Sequence, residues 1–405
     1  MWTFHVIGAV FLPALVGVAC SGWEGSSTGD GAPTGAGGTS CSVSTGPSED
    51  ELPADYPRGL HAVGAVIADS EGNPITLRGV NRSGTEYLCA EGGGIFEGPN
   101  DEASVRAIAS WNVNAVRVPL NESCWLGINN ASSRFAGETY HQAILDYVTL
   151  LHKYALIPIL ELHRAAPGTL LAGMQLPMPN LDHSVDFWTS VATTFLDDDG
   201  VIFEPFNEPF PDGNRDSAAA WQCWRDGCTL TDPRDSDGAT RPSYDAVGMQ
   251  GLVDAIRRTG AKHLLLLGGV QFSNSLTQWL AHQPTDPLPE QNLAAAWHVY
   301  NYNGCRSRAC WGAAPAELAS QVPLVATEIG QNDCGDNPFI QPLMDFLNEQ
   351  RIGYLAWTWN AYGPCISQTT NPDSQPYSLV TNFYCPVPNS AFARVFYNYV
   401  MNAER

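Results

Sequence analysis

The stretch Val201-Ile-Phe-Glu-Pro-Phe-Asn207-Glu208-Pro209 decides how this chain is interpreted. An apolar run typical of a buried strand ends in an Asn-Glu pair, and a proline follows directly. A second run of the same design, Pro323-Leu-Val-Ala-Thr-Glu328-Ile-Gly330, comes later in the chain. Each run brings a glutamate close to the end of a strand. Two such carboxyls are what acid/base or nucleophilic chemistry at an acetal carbon requires.

Around these two runs, apolar strand-like segments alternate with segments of helical periodicity. The predicted strands are 75–81, 114–120, 157–163, 201–207, 263–269, 293–300, 323–330 and 353–360. The predicted helices are 101–111, 139–153, 183–196, 243–258, 274–281, 313–320, 339–350 and 390–401. Along most of their length these strands are continuously apolar rather than alternating, as expected where protein covers both faces of a sheet. This order predicts an α/β fold, a single (β/α)8 TIM barrel over residues 58–405, with a doubly wound open sheet as the alternative.

Composition narrows the class of partner. The chain of 405 residues has a formal net charge of −22. Such an acidic surface repels phosphate backbones and anionic lipids, so the sequence predicts no nucleic-acid partner. A neutral polysaccharide meets no such repulsion, and aromatic side chains can stack on its sugar rings. We therefore expect a polysaccharide substrate. The protein is separately expected to be a monomer.

The cysteines indicate an oxidising compartment. None of the eleven is accompanied by histidines at the spacing of a zinc site, so disulfides are the favoured interpretation. Pairing within 223–228, 305–310 and 365–385, with Cys89–Cys124 across a longer loop, is one arrangement, although a sequence does not determine connectivity. Without a phosphate-binding P-loop or a His/Cys metal set, the sequence predicts no cofactor and no metal.

The N-terminal residues predict export. Residues 1–20 contain an apolar run too short for a comfortable membrane span, and they are interpreted as a signal peptide. The run ends in Gly17-Val-Ala-Cys20, which resembles a bacterial lipobox, so a lipid anchor at Cys20 and an ordinary cleaved signal remain alternatives. Residues 21–57, rich in Gly, Ser, Thr and Pro, are interpreted as a flexible linker. The predicted location is secreted or cell-surface.

Polar and aromatic side chains recur at the predicted strand ends, where a barrel keeps its active site. Six segments carry them, one per strand: Arg-Val-Pro, Leu-His, Phe-Asn-Glu-Pro, His-x-Tyr, Thr-Glu-Ile-Gly and Trp-Thr-Trp-Asn. In this order they resemble glycoside hydrolase family 5, over most of residues 58–401. The resemblance implies a retaining β-glycanase on a (β/α)8 barrel.

The resemblance also implies roles for individual residues. Glu208 would be the general acid/base and Glu328 the nucleophile. Arg117 would hold Glu328 ionised, since a neighbouring cation lowers a carboxyl pKa, and Tyr300 would donate a hydrogen bond to the same carboxylate.

The remaining implied residues contact the sugar. Asn207 would bind the 2-hydroxyl, His163 and His298 would line the subsite where the sugar is distorted, and Trp357 would form its stacking floor, with Trp359 as the alternative. Two further glutamates are expected to have no catalytic role. Glu161 would be a salt-bridge partner beneath the site, and Glu204 would point away from the cleft.

The function expected from these observations is an endo-β-1,4-glucanase acting on cellulose-type chains. A β-mannanase or another β-glycanase is the alternative within the class, and a non-catalytic glycan-binding surface protein is the alternative outside it. The long segment 210–242 follows the strand that carries Glu208. Its Trp221 and Trp224 are therefore expected to bind leaving-group sugars.

Overall fold

The computed structural model describes residues 56–335, 338–365 and 375–403. The predicted signal segment with Cys20, and the predicted linker up to residue 55, lie outside the described residues. Within the described ranges, no helix combines the length and apolar character needed to cross a membrane.

A small antiparallel sheet precedes the barrel. Its strands are β1 (His61–Val63), β2 (Val66–Ala68) and β3 (Pro74–Ile75), in the order β1-β2-β3. The sequence predicts one hairpin turning at 70–73 and running into a strand over 75–81. The structure has that turn between β2 and β3, adds a tighter one between β1 and β2, and starts the barrel strand only at Arg78.

Ten further strands follow: β4 (Arg78–Asn81), β5 (Ala115–Asn121), β6 (Ile157–Arg164), β7 (Ile202–Glu204), β8 (Cys228–Leu230), β9 (Tyr244–Ala246), β10 (Leu265–Gly268), β11 (Leu293–Tyr300), β12 (Leu324–Gly330) and β13 (Gly353–Ala356). Strands β8 and β9 pair only with each other. The other eight close into a barrel in the order β4-β5-β6-β7-β10-β11-β12-β13, with parallel pairing throughout. The predicted (β/α)8 barrel is confirmed, and the open sheet is excluded.

Helices connect the barrel strands: α1 (Glu102–Ala109), α2 (Glu122–Leu126), α3 (Glu138–Lys153), α4 (Ser184–Thr194), α5 (Pro211–Asn214), α6 (Ala218–Asp226), α7 (Met249–Arg258), α8 (Trp279–His282), α9 (Arg308–Trp311), α10 (Ala314–Ala319), α11 (Ile340–Glu349) and α12 (Ala391–Met401). Several begin where a side chain satisfies a free backbone N–H group. Asp101 accepts from the backbone N–H of Ser104 at the start of α1, and Ser390 accepts from that of Ala393 at the start of α12.

Two predicted helices are shorter in the structure. The segment 243–258 begins with β9 and becomes helical only at Met249, and the segment 274–281 is helical only from Trp279. In both, the apolar spacing comes from loop residues that pack on the barrel, and apolar spacing alone does not distinguish such residues from a helix.

Alternating side chains divide each barrel strand between two cores. On β6, Ile157 and Ile159 belong to a small cluster that fills the barrel at its N-terminal end, together with Leu60 and Ile67 of the preceding segment. Leu160 and Leu162 point the other way, into the larger cluster between the strands and the surrounding helices. The interior face is thus apolar at the start of the strands. Any polar residue on that face must lie nearer the C-terminal mouth.

Four disulfides join described cysteines: Cys89–Cys124, Cys223–Cys228, Cys305–Cys310 and Cys334–Cys365. The first three are the predicted pairs. The expected Cys365–Cys385 bond is wrong, because Cys365 pairs with Cys334. These two cysteines follow the neighbouring strands β12 and β13, and barrel closure brings their loops together in a way that sequence spacing does not reveal.

Removing the Cys89–Cys124 bond should destabilise the fold. Its cysteines are 35 residues apart and fully buried, so the bond restricts a long loop of the unfolded chain. We expect the double substitution Cys89→Ala/Cys124→Ala to lower the free energy of unfolding by about 2–4 kcal/mol, measured by urea denaturation. The matched control is Cys305→Ala/Cys310→Ala, which removes a disulfide between cysteines only 5 residues apart. It should lower the free energy of unfolding by less. An equal or larger loss in the control would contradict the loop-length explanation.

Candidate active site

The interior face of the barrel turns polar towards the C-terminal ends of the strands. Three strands carry a polar residue two positions after their last residue in the apolar interior cluster. These polar residues are Arg117 on β5, Glu204 on β7 and His298 on β11, which follow Ala115, Ile202 and Ala296. Strand pleating places these side chains on one face, so closure of the barrel brings them together.

Arg117 lies at the centre of this polar layer and is fully buried. Its Nε donates to Glu204 Oε2 at 2.7 Å, and its Nη1 donates to Glu328 Oε1 at 2.8 Å. Nη2 donates to Asn207 Oδ1 at 2.7 Å, and Nη1 also reaches Asn81 Oδ1 at 3.0 Å. Burial alone would lower the pKa of Arg117, but the surrounding carboxyls raise it, so the guanidinium stays charged.

Glu328 is held at both carboxylate oxygens. Arg117 binds Oε1, and the Tyr300 hydroxyl donates to Oε2 at 2.6 Å. Burial raises the pKa of Glu328, while the positive charge of Arg117 opposes that effect. The backbone also helps to direct this side chain. The pairing of β12 with β13 shifts register between Ala326 and Ile329, a bulge of the kind that re-aims side chains beside active sites.

Glu208 lies beyond the end of β7, since that strand stops at Glu204 rather than at the predicted residue 207. Its side chain is 19% exposed, compared with 5% for Glu328. His298 Nδ1 lies 2.8 Å from Oε1, and Gln175 Nε2 donates to Oε2 at 3.3 Å. Burial raises the pKa of the Glu208 carboxyl to about 7, against the opposing effect of the hydrogen bond from Gln175. This carboxyl is therefore suited to carry a proton near neutral pH.

The hydrogen-bond network around His298 also favours a protonated Glu208. The Thr327 hydroxyl donates to Glu204 Oε1 at 3.1 Å, so its oxygen is free to accept from His298 Nε2, also 3.1 Å away. Burial lowers the pKa of His298 to about 4, and the ring is neutral at neutral pH. With its one proton on Nε2, the ring offers Nδ1 as an acceptor to Glu208, which favours a protonated carboxyl there.

A second set of contacts orients His163, Asn207 and Trp357. His163 Nδ1 lies 2.6 Å from Glu161 Oε1, so that Nε2 can accept from Asn207 Nδ2 at 3.3 Å. Burial lowers the pKa of His163 to about 4. The ring of Trp357 is partly exposed and stacks on His163, with centroids 5.5 Å apart and planes inclined by 20°. The structure thus brings all eight predicted site residues to one mouth of the barrel.

Two expectations about neighbouring glutamates have different outcomes. Glu161 lies beneath the site, 3.5 Å from Arg117, as predicted. The expectation that Glu204 points away from the cleft is wrong, because Glu204 enters the barrel interior and binds Arg117 through both carboxylate oxygens. The alternation of side chains along β7 places Glu204 on the same face as Ile202, which belongs to the interior cluster.

The tryptophans of the long segment 210–242 do not border the cleft. Trp221 and Trp224 are both fully buried, and their indole N–H groups donate to Asp216 and to the carbonyl of Gly268. They lie on the apolar face of α6 and pack against each other, so their predicted contact with sugars is wrong. Trp359 is buried as well and packs edge-on against Trp111, which leaves Trp357 as the tryptophan of this pair at the site.

Sequence reasoning missed two side chains that touch the site. Gln175 lies in the segment between β6 and α4, where it contacts Glu208, and the only sequence signal is a polar residue in an apolar stretch. Thr327 directly precedes Glu328 in the quoted Thr-Glu-Ile-Gly segment, but strand alternation would have turned one of the two away. The register shift in β12 allows both to reach the interior.

Three of the same residues bring possible metal-ligand atoms close together. In the described part of the chain, Glu208, His298 and Glu328 form the one group of three or more side chains whose ligand atoms lie close enough for a shared ion, within 4.8 Å of one another. His298 Nδ1 already faces Glu208 Oε1, and the Tyr300 hydroxyl already donates to Glu328 Oε2. Two carboxyls beside a neutral histidine also suit metal-free acid/base chemistry.

A model of a known protein family matches the chain. The family model described as Cellulase (glycosyl hydrolase family 5) matches residues 68–363. Among curated proteins, the chain is 21% identical over 329 residues to a mannan endo-1,4-beta-mannosidase of Cellvibrio japonicus, covering 80% of this chain and 63% of that protein. It is 22% identical over 312 residues to endoglucanase E-5 of Thermobifida fusca, covering 74% of this chain and 55% of that protein.

Solved structures share the fold. The beta-glucanase SdGluc5_26A from Saccharophagus degradans has a TM-score of 0.60 and 18% identity, over 87% of this chain and 95% of that chain. The beta-mannanase from Thermomonospora fusca has a TM-score of 0.58 and 18% identity, over 86% of this chain and 98% of that chain. At these identities the likeness establishes the (β/α)8 fold.

Replacing Arg117 should destabilise the barrel. The substitution Arg117→Leu leaves the carboxyls of Glu204 and Glu161 buried without their cation. We expect the free energy of unfolding to fall by about 3–5 kcal/mol in urea denaturation at pH 7. The control is Arg308→Leu, whose side chain is 53% exposed and pairs with Glu349 at the surface, where a loss of about 1 kcal/mol or less is expected. Similar losses in the two variants would contradict the central role of Arg117.

Proposed function

Since the chain belongs to the cellulase family, glycosyl hydrolase family 5, we propose that it cleaves β-1,4-linked glucan chains by a retaining, two-glutamate mechanism. The observation that carries this proposal is the separation of the two carboxyls. A carboxylate oxygen of Glu208 and one of Glu328 lie within 4.8 Å of each other. Retaining glycosidases hold the pair about 5–5.5 Å apart, whereas inverting enzymes leave about 6.5–9.5 Å for a water molecule. The short separation supports retention.

In the first step, Glu328 is the nucleophile and Glu208 is the general acid. A carboxylate oxygen of Glu328 forms a bond to the anomeric carbon as the bond from that carbon to the leaving oxygen breaks. Glu208 transfers its proton to the leaving oxygen, so the departing chain leaves as a neutral alcohol. The different environments support this assignment, because Arg117 favours a charged Glu328 and the neutral His298 favours a protonated Glu208.

In the second step, the roles reverse. Glu208, now ionised, accepts a proton from a water molecule, and the water oxygen attacks the anomeric carbon. The bond from that carbon to Glu328 breaks, which restores the free carboxylate and releases a sugar with its original configuration. Arg117 and the Tyr300 hydroxyl stabilise the returning charge, since both already contact the Glu328 oxygens.

Asn207 and Trp357 bind the sugar that reacts. Asn207 donates one N–H group to His163 and keeps the second for the 2-hydroxyl, a contact that strengthens in the transition state. The bond from Arg117 to Asn207 Oδ1 fixes which end of the amide faces the sugar. Trp357, backed by His163, offers a partly exposed ring on which an apolar sugar face can stack.

The glucan assignment rests on sequence. The segments Ile-Leu-Glu-Leu-His-Arg164 and Trp-Thr-Trp-Asn360 resemble the endoglucanase branch of the family. β-1,4-Mannan is the second candidate, because mannan endo-1,4-beta-mannosidases are among the curated relatives. Glucose and mannose differ in the orientation of the 2-hydroxyl, which is the group that Asn207 would contact. The present chain spans only 63% of that mannosidase, so the substrate of the mannosidase is not assigned to it.

We also propose that the protein acts outside the cytoplasm, either secreted or anchored at the cell surface through Cys20. Four disulfides among the described residues suit an oxidising compartment, where polymeric glycans are also found. The net charge of −22 disfavours nucleic acids and leaves neutral polysaccharide as the expected partner.

The substrate should be identified by reducing-end release from carboxymethylcellulose, mixed-linkage β-glucan and mannan. We expect the full chain to act on the two glucans, and Glu328→Gln to lose roughly 10³-fold or more of kcat, because an amide cannot form the covalent ester. The matched control is Glu317→Gln on the exposed surface of α10, which should keep full activity. Activity on mannan alone would replace the substrate and keep the mechanism. No activity on any of these glycans by folded protein would contradict the proposed function.

The activity should decline in alkaline solution. The first step needs protonated Glu208, whose burial raises its pKa to about 7, so the competent fraction falls as pH increases through that value. We expect kcat/KM on a glucan oligosaccharide to fall about tenfold per pH unit above about pH 7. A dinitrophenyl glycoside, whose leaving group needs no proton, should show a much weaker decline. The same alkaline decline for both substrates would assign it to another group.

A further inference from the structure

One buried side chain contacts the acid/base carboxyl without a role in the two steps above. Gln175 lies between β6 and α4 and is 9% exposed. Its Nε2 donates to the backbone carbonyl of Glu208 at 3.0 Å and to Glu208 Oε2 at 3.3 Å. Building on the proposed function, we propose that Gln175 is a positioning residue, which holds the Glu208 carboxyl in the orientation that delivers its proton to the leaving oxygen.

The geometry of these contacts limits how Glu208 can move. A glutamate side chain has three rotatable bonds, and its carboxyl group rotates broadly about the last of them. A single amide group here binds both the main chain and the carboxyl of Glu208, which couples the two ends of that side chain. His298 binds the other carboxylate oxygen, from β11. The carboxyl is therefore held at both oxygens by groups from two different parts of the barrel mouth.

Gln175 is itself held from a second loop. Its backbone carbonyl accepts from the N–H group of Ser236 at 3.0 Å. The loop that carries Ser236 is folded around Asp235, which is 3% exposed and accepts from the N–H groups of Asp237 and Ala239 at 3.1 and 2.8 Å. Arg241 Nε donates to the same carboxylate at 2.6 Å. This compact turn holds the backbone of Gln175 in place. The loop of Ser236 thus acts on Glu208 through Gln175.

The consequence concerns one chemical step. Cleavage between two sugars expels a poor leaving group, an alkoxide that needs the proton of Glu208 in the transition state. An activated aryl group such as dinitrophenolate leaves without that proton. A misplaced Glu208 should therefore slow cleavage of oligosaccharides and spare aryl glycosides, whereas a general disturbance of the site should slow both.

The test is Gln175→Met in the full chain, which keeps the length of the side chain and removes both N–H donors. We expect kcat on cellopentaose to fall by about 10- to 100-fold with KM nearly unchanged, because small misplacements of a catalytic group carry costs of this order. The substrate is mannopentaose if the wild type cleaves only mannan. On the 2,4-dinitrophenyl glycoside of the matching disaccharide, the fall in kcat/KM should stay within about threefold.

Two further variants make the result decisive. Gln142→Met, at an exposed site on α3, should leave both rates at the wild-type value. Gln175→Leu also lacks the N–H donors and adds no charge beside Glu208, so it should reproduce the selective loss, and it serves if Gln175→Met does not fold. Unchanged oligosaccharide cleavage, or equal losses on both substrates, would overturn the role of Gln175 alone. A folded wild type inactive on both substrates would overturn the proposed function as well.

Discussion

The site depends on one buried cation. Arg117 has no exposed surface, and its five N–H donors are shared among Glu204, Glu328, Asn207 and Asn81. A guanidinium in the interior of a barrel is costly unless carboxyls and amides satisfy it, and carboxyls there are costly unless a cation compensates them. The polar layer is therefore stable only as a whole. That mutual requirement places the carboxylate of Glu328 and the amide of Asn207 side by side at the mouth of the barrel.

The same layer gives the two glutamates different environments. Glu328 receives hydrogen bonds from a charged guanidinium and from the hydroxyl of Tyr300, both of which stabilise its ionised form. Glu208 lies farther out, between the neutral ring of His298 and the neutral amide of Gln175. His298 Nδ1 lies 2.8 Å from an oxygen of Glu208 and 3.6 Å from an oxygen of Glu328, yet these neighbouring carboxyls differ in the charge of their hydrogen-bond partners. Pairs of this kind allow one group to donate a proton while the other acts as a nucleophile.

Much of this arrangement could be predicted from local sequence. Each of Arg117, His163, His298 and Glu328 interrupts an apolar run, and that interruption is visible without any tertiary information. The predictions that were wrong concern residues whose surroundings come from elsewhere in the chain. Trp221 and Trp224 resemble loop aromatics, but α6 turns them into the core. Cys365 has a nearby cysteine in sequence, but barrel closure brings Cys334 within 5.4 Å, measured between the Cα atoms.

The sequence by itself determined the succession of eight strand and helix units, and which residues stand at the strand ends, because hydrophobic periodicity is a property of neighbouring residues. It also determined the chemistry those ends can carry. Only the tertiary structure decided that the sheet closes, that Glu204 turns inward to Arg117, and that Gln175 reaches Glu208. These outcomes depend on strand pleat, on the register shift in β12 and on loop packing. All three arise from contacts between residues far apart in the chain.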